Sequence, residues 1–584
     1  MTATNRGPQS SVISMLHGRA SLRPDDAAFT FTDYGVDPAG VAERLTWSAL
    51  ALQTVNVARE LSRHASVGDR AVILAPQGLE YIVAFLGSIQ AGLVAVPLPL
   101  PNRGSTHDRV SAVVDDASPA VVLTTSAVAR DIAGYLRQAR LDTVPKVIEI
   151  DAIDLDAAEG AAGFTTTGSP TVAYLQYSSG STRLPTGVVI SHHNLQVNFE
   201  QVMRTYLAGV RSPAETTFVS WLPFYHDMGL MMGVCAPILS GLPAALATPT
   251  SFLESPARWM RALALNPGAF SAAPNFAFDM AARKTRDSDL VGLDLGDVVA
   301  LINGAERVEP TTLERFADRF AHFNFRDHML RPSYGLAEAT VFVTSGTWNE
   351  SAGAVRFDVD ELSAGRAART TAGTGAALVR YALPSSPIVR IVDVETNREC
   401  PPDVVGEIWV HGDNVASGYW RRPSEQQQCF HATLFDPSPG TAGGPWLKTG
   451  DLGFVSGGEL FIVGRIKDML IIRGRNHYPE DIEATVTEIT RGRVAAIAVS
   501  VSNTEKLVTV VEVKQPGDPA VEAVRWLSEV KNDVTSAISH AHGLNVGDLV
   551  LVPPGSIPTT TSGKVQRAAC AEQYRQDRFV RLDA

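Results

Sequence analysis

From Asp69 to Val189 the chain repeats one rhythm, in which a short apolar or β-branched run is followed by a longer stretch with helical spacing. The runs are AVILAPQG, LVAVPLPL, AVVLTT, KVIEID and VAYLQY, and a helix is expected over Leu79–Gln90. Short apolar runs bounded by turn residues and alternating with helices predict a mostly parallel sheet with helices on its faces. The rhythm continues through TTFVSWLP, AALATP, AFSAAP and VVALING, so one large α/β body is expected before residue 300. Two longer apolar stretches, Tyr81–Pro101 and Gly229–Pro249, approach the ~20 residues of a membrane span. The first contains Gln90 and ends in a Pro-rich run, and the second contains Pro237 and Pro243, so both read as buried core.

The rhythm breaks at Ala352–Ala377, which is rich in Ala, Gly and Thr and fits either a surface loop or a small added subdomain. EIWVHG and ELFIVGR then read as β structure. From about Lys467 onward, AAIAVSV, KLVTVVEV and a helical pattern over Val521–Ala541 are enough for a separate α+β domain. The expected division is a large domain over 1–465 and a small one over 466–584.

Composition narrows the class. The 584 residues are 45% hydrophobic and 19% charged, with ordinary Gly and Pro usage, which excludes disorder, collagen and a disulfide scaffold as overall descriptions. A formal net charge of -12 repels polyanions, so nucleic acid and acidic membrane surfaces are not expected partners. Cys235, Cys400, Cys429 and Cys570 are far apart and lack metal or redox spacing, which favours a reducing, cytoplasmic setting. The opening stretch lacks the charged and apolar segments of a secretory signal, so no export is expected.

The strongest local signal is YSSGSTRLPTG, Tyr177–Gly187, lying between two apolar strands. Hydroxyls at Ser178, Ser179, Ser181 and Thr182 flank Gly180, which lets backbone N–H groups approach an anion; a plain polar hairpin is the competing reading. A Walker-type loop fails, because Gly563-Lys564 is followed by Val565 and Pro558 stands at the earlier glycine position.

Six further segments follow in order: WLPFYHDMG (Trp221–Gly229), NGAE (Asn303–Glu306), SYGLAEAT (Ser333–Thr340), KTGD (Lys448–Asp451), GRIKD (Gly464–Asp468) and PTTTSGK ending at Lys564. Together with the hydroxyl-rich loop they resemble the adenylate-forming superfamily of acyl-CoA synthetases, peptide-synthetase adenylation domains and luciferases. QYSSGSTRLPTGV, WLPFYHDMGLM, SAAPNFAFD, NGAERV, PSYGLAEAT and RGRNHYPEDIE are most similar to the fatty acyl-AMP ligases, the mycobacterial members in particular. In those ligases an insertion falls where Ala352–Ala377 lies.

The resemblance implies an α/β body of packed sheets and helices with a small mobile C-terminal lid. It implies a cytoplasmic ligase of fatty acid metabolism and lipid biosynthesis that converts a long-chain fatty acid and ATP, with Mg²⁺, to acyl-AMP and pyrophosphate. The acyl group would then pass to the phosphopantetheine thiol of an acyl carrier protein or a polyketide synthase carrier domain. Carried over residue by residue, Lys564 contacts the carboxylate and α-phosphate, and His226 closes the pocket or bonds a phosphate. Ser178, Ser179, Gly180, Ser181, Thr182 and Arg183 hold phosphates, while Tyr334 stacks on adenine in a slot lined by Gly304, Ala305, Glu306, Gly335 and Ala337. Asp451 accepts from the ribose hydroxyls, Arg465 meets ribose or phosphate, Glu338 binds Mg²⁺ and Lys467 is the hinge. Many superfamily members carry lysine where this chain has Thr186 and glycine where it has Arg183, so Arg183 is the candidate replacement charge.

Met228, Met231, Met232, Phe276 and Phe278 offer apolar surface for an acyl chain, with core packing as the competing reading. Ten buried methylenes at ~0.8 kcal/mol each contribute roughly 8 kcal/mol before ordering costs, enough to separate long chains from acetate. His192 and His193 are expected to cap the helix after the phosphate loop. A long-chain acyl-CoA ligase and a catalytically silent nucleotide- or lipid-binding module remain the alternatives.

Overall fold

The computed structural model describes residues 11–101, 109–139, 141, 143–158, 171–177, 185–207, 209–210, 213–347, 350–371, 375–472, 475–501, 504–514, 520–560 and 563–582. The predicted apolar runs are strands, but among the described residues they sort into two sheets. Runs up to Val189 form the first, in the order Lys146–Glu149, Val121–Thr124, Arg70–Ile73, Val94–Pro97, Val172–Tyr177, Gly187–Ser191; all neighbours are parallel except the last pair. Later runs form the second, in which Leu330–Tyr334, Ala300–Gly304, Ala269–Pro274, Thr217–Ser220, Ala244–Leu246 and Ala27–Asp33 are parallel. Antiparallel Thr344–Ser345 and Val41–Thr46 close its edges. Nothing in a run of apolar residues names its sheet, and the early strand Ala27–Asp33 joins the late set.

Helix Leu79–Gln90 matches its predicted span and is buried on nearly every face, which explains its all-round apolar sequence. It passes so close to helix Trp47–Leu61 that a Cβ on Gly87 would stand 2.5 Å from the Val57 side chain, so glycine is required there. Tyr81 meets Phe224 at 5.8 Å and Phe85 meets Tyr174 edge-on at 5.8 Å, so both sheets contribute to one apolar core. Both long apolar stretches are largely buried, mostly in this core, with Val94, Val96 and Leu98 in a neighbouring apolar cluster, and no helix among the described residues is long and apolar enough to cross a membrane.

The stretch that breaks the rhythm contains strand Ala354–Phe357, short helix Val359–Ser363 and strand Ala376–Val379, the two strands pairing antiparallel. It packs on an antiparallel sheet ordered Tyr381–Ala382, Glu459–Arg465, Leu447–Ser456, Gly406–His411, Ile388–Val392. Beyond Leu470, strands Val494–Val501, Thr504–Glu512 and Val546–Val552 pack against helices Pro479–Thr490, Ala520–His542 and Arg567–Arg575. Their apolar residues form clusters separate from the main core.

The helix after the hydroxyl-rich loop corrects one expectation. It starts at His192, and Ser191 is its cap: Ser191 Oγ accepts the Asn194 N–H at 3.0 Å and Asn194 Oδ1 accepts the Ser191 N–H at 3.0 Å. A hydroxyl can accept from the unpaired N–H groups of a first turn, whereas an imidazole is poorly shaped for it.

Candidate functional site

The carboxyl ends of strands Ala269–Pro274, Ala300–Gly304 and Leu330–Tyr334 open onto a cleft of roughly 2250 Å³, as parallel α/β sheets commonly arrange. Its far wall comes from the Asp451–Arg465 hairpin and the C-terminal unit. From six distant segments His226, Gly304, Ala305, Glu306, Tyr334, Gly335, Ala337, Glu338, Asp451, Arg465, Lys467 and Lys564 all line this cleft. Ser178, Ser179, Gly180, Ser181, Thr182 and Arg183 lie outside the described residues. The strands that flank them pair antiparallel with Tyr177 opposite Gly187.

Asp451 and Arg465 are cross-strand partners, so the sheet register sets opposite charges face to face. Arg465 Nε lies 3.0 Å from Asp451 Oδ1, and Tyr334 Oη donates to Asp451 Oδ2 at 2.7 Å. The Asp451 carboxylate raises Arg465 above the usual guanidinium range, and burial followed by that same carboxylate pushes the Tyr334 phenol well up. Gly335 is required at the end of the Tyr334 strand, because a Cβ there would sit 1.7 Å from the Val341 carbonyl oxygen.

Glu338 lies in the single turn Ala337–Ala339 and accepts from Tyr419 Oη at 2.8 Å. The turn ends in a strained residue: Thr340 has φ 71° and ψ -61°, and Val341 N–H reaches back to the Ala339 carbonyl at 3.0 Å. That three-residue turn is costly for a β-branched side chain and persists only where the surroundings enforce it. Here Thr340 Oγ1 donates to the Asn414 carbonyl at 2.7 Å and Asn414 Nδ2 donates to the Ala339 carbonyl at 3.1 Å, all within the buried interior.

His226 precedes the short helix Asp227–Leu230, and its Nδ1 lies 2.7 Å from Asp227 Oδ1. Burial alone would raise the Asp227 carboxyl, but His226, the Met228 N–H and Lys564 together hold it below the usual range. The Lys564 backbone is tied to Thr560: its N–H donates to Thr560 Oγ1 at 3.1 Å and its carbonyl accepts from Thr560 N–H at 2.8 Å. Burial, then Arg465, lowers the Lys564 ammonium from its ordinary value, while Asp227, Glu306 and Asp451 oppose that shift. Burial raises Glu306, whose Oε1 accepts the Phe276 N–H at 2.7 Å, so its carboxylate anchors a helix start beside the cleft. Burial and Arg465 likewise lower Lys467.

The apolar candidates divide. Met228, Met232 and Phe276 line the cleft with Trp221 and Met280, whereas Met231 and Phe278 are packed in the core. Residues Met231–Cys235 form a π-helical turn, whose wider spacing re-aims side chains and recurs at functional sites. Asp227, Tyr419 and the Arg307–Glu309–Asp481 cluster were not anticipated. Asp227 had a signal in its adjacency to His226; Tyr419 sits in an irregular GYW stretch with no periodicity to single it out.

The fold and cleft define an adenylate-forming enzyme, and the chain belongs to the AMP-binding enzyme family, whose model matches residues 16–420. Residues 467–582 match the AMP domain of the Disco-interacting protein 2-like family. The chain is 60% identical to the fatty-acid–CoA ligase fadD21 of Mycobacterium leprae, over 98% of this chain and 99% of that protein. It is 56% identical to the long-chain-fatty-acid–AMP ligase FadD28 of Mycobacterium tuberculosis strain H37Rv, over 98% and 99%. A solved fatty acyl-adenylate ligase of Legionella pneumophila, in complex with acyl adenylate and pyrophosphate, is 32% identical. It superimposes with a TM-score of 0.72 over 97% of this chain and 96% of that one.

Proposed function

We propose that this protein is a fatty acyl-AMP ligase that activates a long-chain fatty acid with ATP and passes the acyl group to the phosphopantetheine thiol of an acyl carrier protein or polyketide synthase carrier domain. The observation that carries the reading is one cleft in which an apolar wall of Met228, Met232 and Phe276 adjoins the charged set of Lys564, Asp451, Arg465 and Glu338. The names of the 56% identical relative and of the solved neighbour support the same chemistry. A cytoplasmic setting accords with four free cysteines.

A carboxylate oxygen of the acid attacks the α-phosphorus, a new O–P bond forms, the bond to the β-phosphate oxygen breaks, and pyrophosphate leaves with that electron pair. No covalent protein intermediate is needed, so the residues act by position and charge. Lys564 neutralises charge on the attacking carboxylate and the α-phosphate oxygens. Asp451 has lone pairs left for the ribose hydroxyls after its bonds to Tyr334 and Arg465, which fix its plane. As an imidazolium, with its Nδ1–H donated to Asp227, His226 can donate its Nε2–H to a phosphate oxygen. A hard divalent cation suits the Glu338 carboxylate, with the remaining positions filled by phosphate and water. Mg²⁺ there would neutralise the phosphates and steady the leaving pyrophosphate. Arg183 is the proposed charge where Thr186 replaces a loop lysine.

A second reading is favoured by the name of the 60% identical relative, a fatty-acid–CoA ligase. Incubation with ATP, Mg²⁺ and acids from octanoate to eicosanoate, with and without CoA, separates the readings by mass spectrometry and pyrophosphate exchange. Acyl-AMP without acyl-CoA is expected. Acyl-CoA in quantity would establish the CoA ligase, and absence of exchange with every acid would leave a silent binding module.

A further inference from the structure

Tyr419 stands at a junction of the site that the reaction scheme above does not use. Its backbone is stitched to the strand that leaves the hydroxyl-rich loop: Val188 and Tyr419 form an antiparallel bridge, Val189 N–H donates to the Gly418 carbonyl at 2.9 Å, and Trp420 N–H donates to the Gly187 carbonyl at 2.7 Å. Three residues earlier, Ala416 N–H donates to the Glu338 carbonyl at 2.8 Å. The side chain then closes the circuit, since Tyr419 Oη donates to Glu338 Oε1 at 2.8 Å. The ring is set edge-on against Phe430 at 4.9 Å, which fixes the direction from which the hydroxyl approaches.

A free glutamate on a one-turn helix samples several rotamers, and a cation ligand that must be in place before the phosphates arrive loses affinity to that freedom. We propose that Tyr419 is a positioning residue for Glu338: its hydroxyl fixes Oε1 and presents Oε2 to a divalent cation. The same segment ties that carboxylate to the strand following the phosphate loop. This inference rests on the assignment of Glu338 as the cation ligand.

Tyr419→Phe removes the hydroxyl and keeps the ring on Phe430, so the fold is retained. Manganese binding to the protein with a non-hydrolysable ATP analogue, followed by electron paramagnetic resonance, is expected to weaken roughly tenfold, the scale for losing an outer partner of a metal ligand. The Mg²⁺ concentration for half-maximal acid-dependent pyrophosphate exchange should rise in parallel, with the rate largely recovered at saturating Mg²⁺. Unchanged manganese affinity in Tyr419→Phe, with or without a lower rate, overturns the proposal. Glu338→Gln is the control: normal manganese affinity there removes the assignment of Glu338 and the role of Tyr419 with it. Weakened binding in both variants without acid-dependent exchange in the wild type would sink the fatty-acid reading and leave the Tyr419–Glu338 relation standing.

Discussion

Lys564 and Asp227 belong to segments more than 300 residues apart, yet each shifts the other's protonation, which gives the cleft a pH signature. Lys564 is lowered by burial and by Arg465, so adenylation should lose its alkaline limb below the 10.5 of an ordinary lysine. Asp227 supports the charged ammonium, so Asp227→Asn should move that limb to still lower pH in a pH–rate profile. An unmoved limb would detach Asp227 from Lys564. Lys564→Ala should slow acyl-AMP formation by roughly 10²- to 10³-fold, the scale for losing one preorganised charge donor, with thermal stability maintained. A near-normal single-turnover rate would remove Lys564 from the chemistry. The charged candidates were legible because they stand in short motifs with little else to explain them. Asp227 and Tyr419 were not, because they act through another residue, and only the folded geometry joins Asp227 to Lys564 and Tyr419 to Glu338.

Among elements, the hairpin Ala354–Phe357 with Ala376–Val379 gives physical content to the interruption in the sequence. Phe357, Leu362 and Leu378 share an apolar cluster with Phe454, Phe461 and Val463, and the same cluster takes in Tyr478 from the C-terminal unit. Asp360 also meets Arg475 at 2.7 Å, although both are well exposed and such a pair is worth little alone. Anchoring of Tyr478 motivates the prediction that deleting Ala352–Ala377 frees the C-terminal unit and permits acyl-CoA formation. A folded deletion still unable to use CoA would show that the hairpin does not impose the restriction. Strand and helix positions were largely readable from apolar runs, as with Leu79–Gln90. Sheet membership was not, since Ala27–Asp33 pairs with Ala244–Leu246 across more than 200 residues of chain. The π-helical turn at Met231–Cys235 left no periodic trace, and with it the division of Met228 and Met232 from Met231 was unreadable.

For the whole molecule, the contact between body and C-terminal unit is itself titratable. Arg307 from the NGAER segment pairs with Asp481 and lies 3.3 Å from Glu309, with Glu480 and Glu306 nearby. Burial pushes the Glu309 carboxyl up to about 7 despite Arg307, helped by Asp481, Glu480 and Glu306. A carboxyl raised in the folded state binds its proton more tightly there, so its contribution to stability falls as pH rises from about 4.5 to about 7. Glu309→Gln should therefore gain stability relative to the wild type between pH 5 and pH 8, by an amount on the order of 1 kcal/mol once partial exposure is allowed for. Equal differences in melting temperature at both pH values would show that Glu309 is already ionised in the fold.

The separate apolar clusters of the C-terminal unit carry one more consequence. Because that unit keeps most of its oily residues to itself, it meets the body beside the cleft through Tyr478 and a few ion pairs, of which Asp360–Arg475 is open to water and Arg307–Asp481 is largely buried. Parting the two would uncover little grease beyond Tyr478, and among the described residues no strand pairs across the junction. Dissolved salt should therefore slacken the exposed Asp360–Arg475 tie first and leave the largely buried Arg307–Asp481 tie in place.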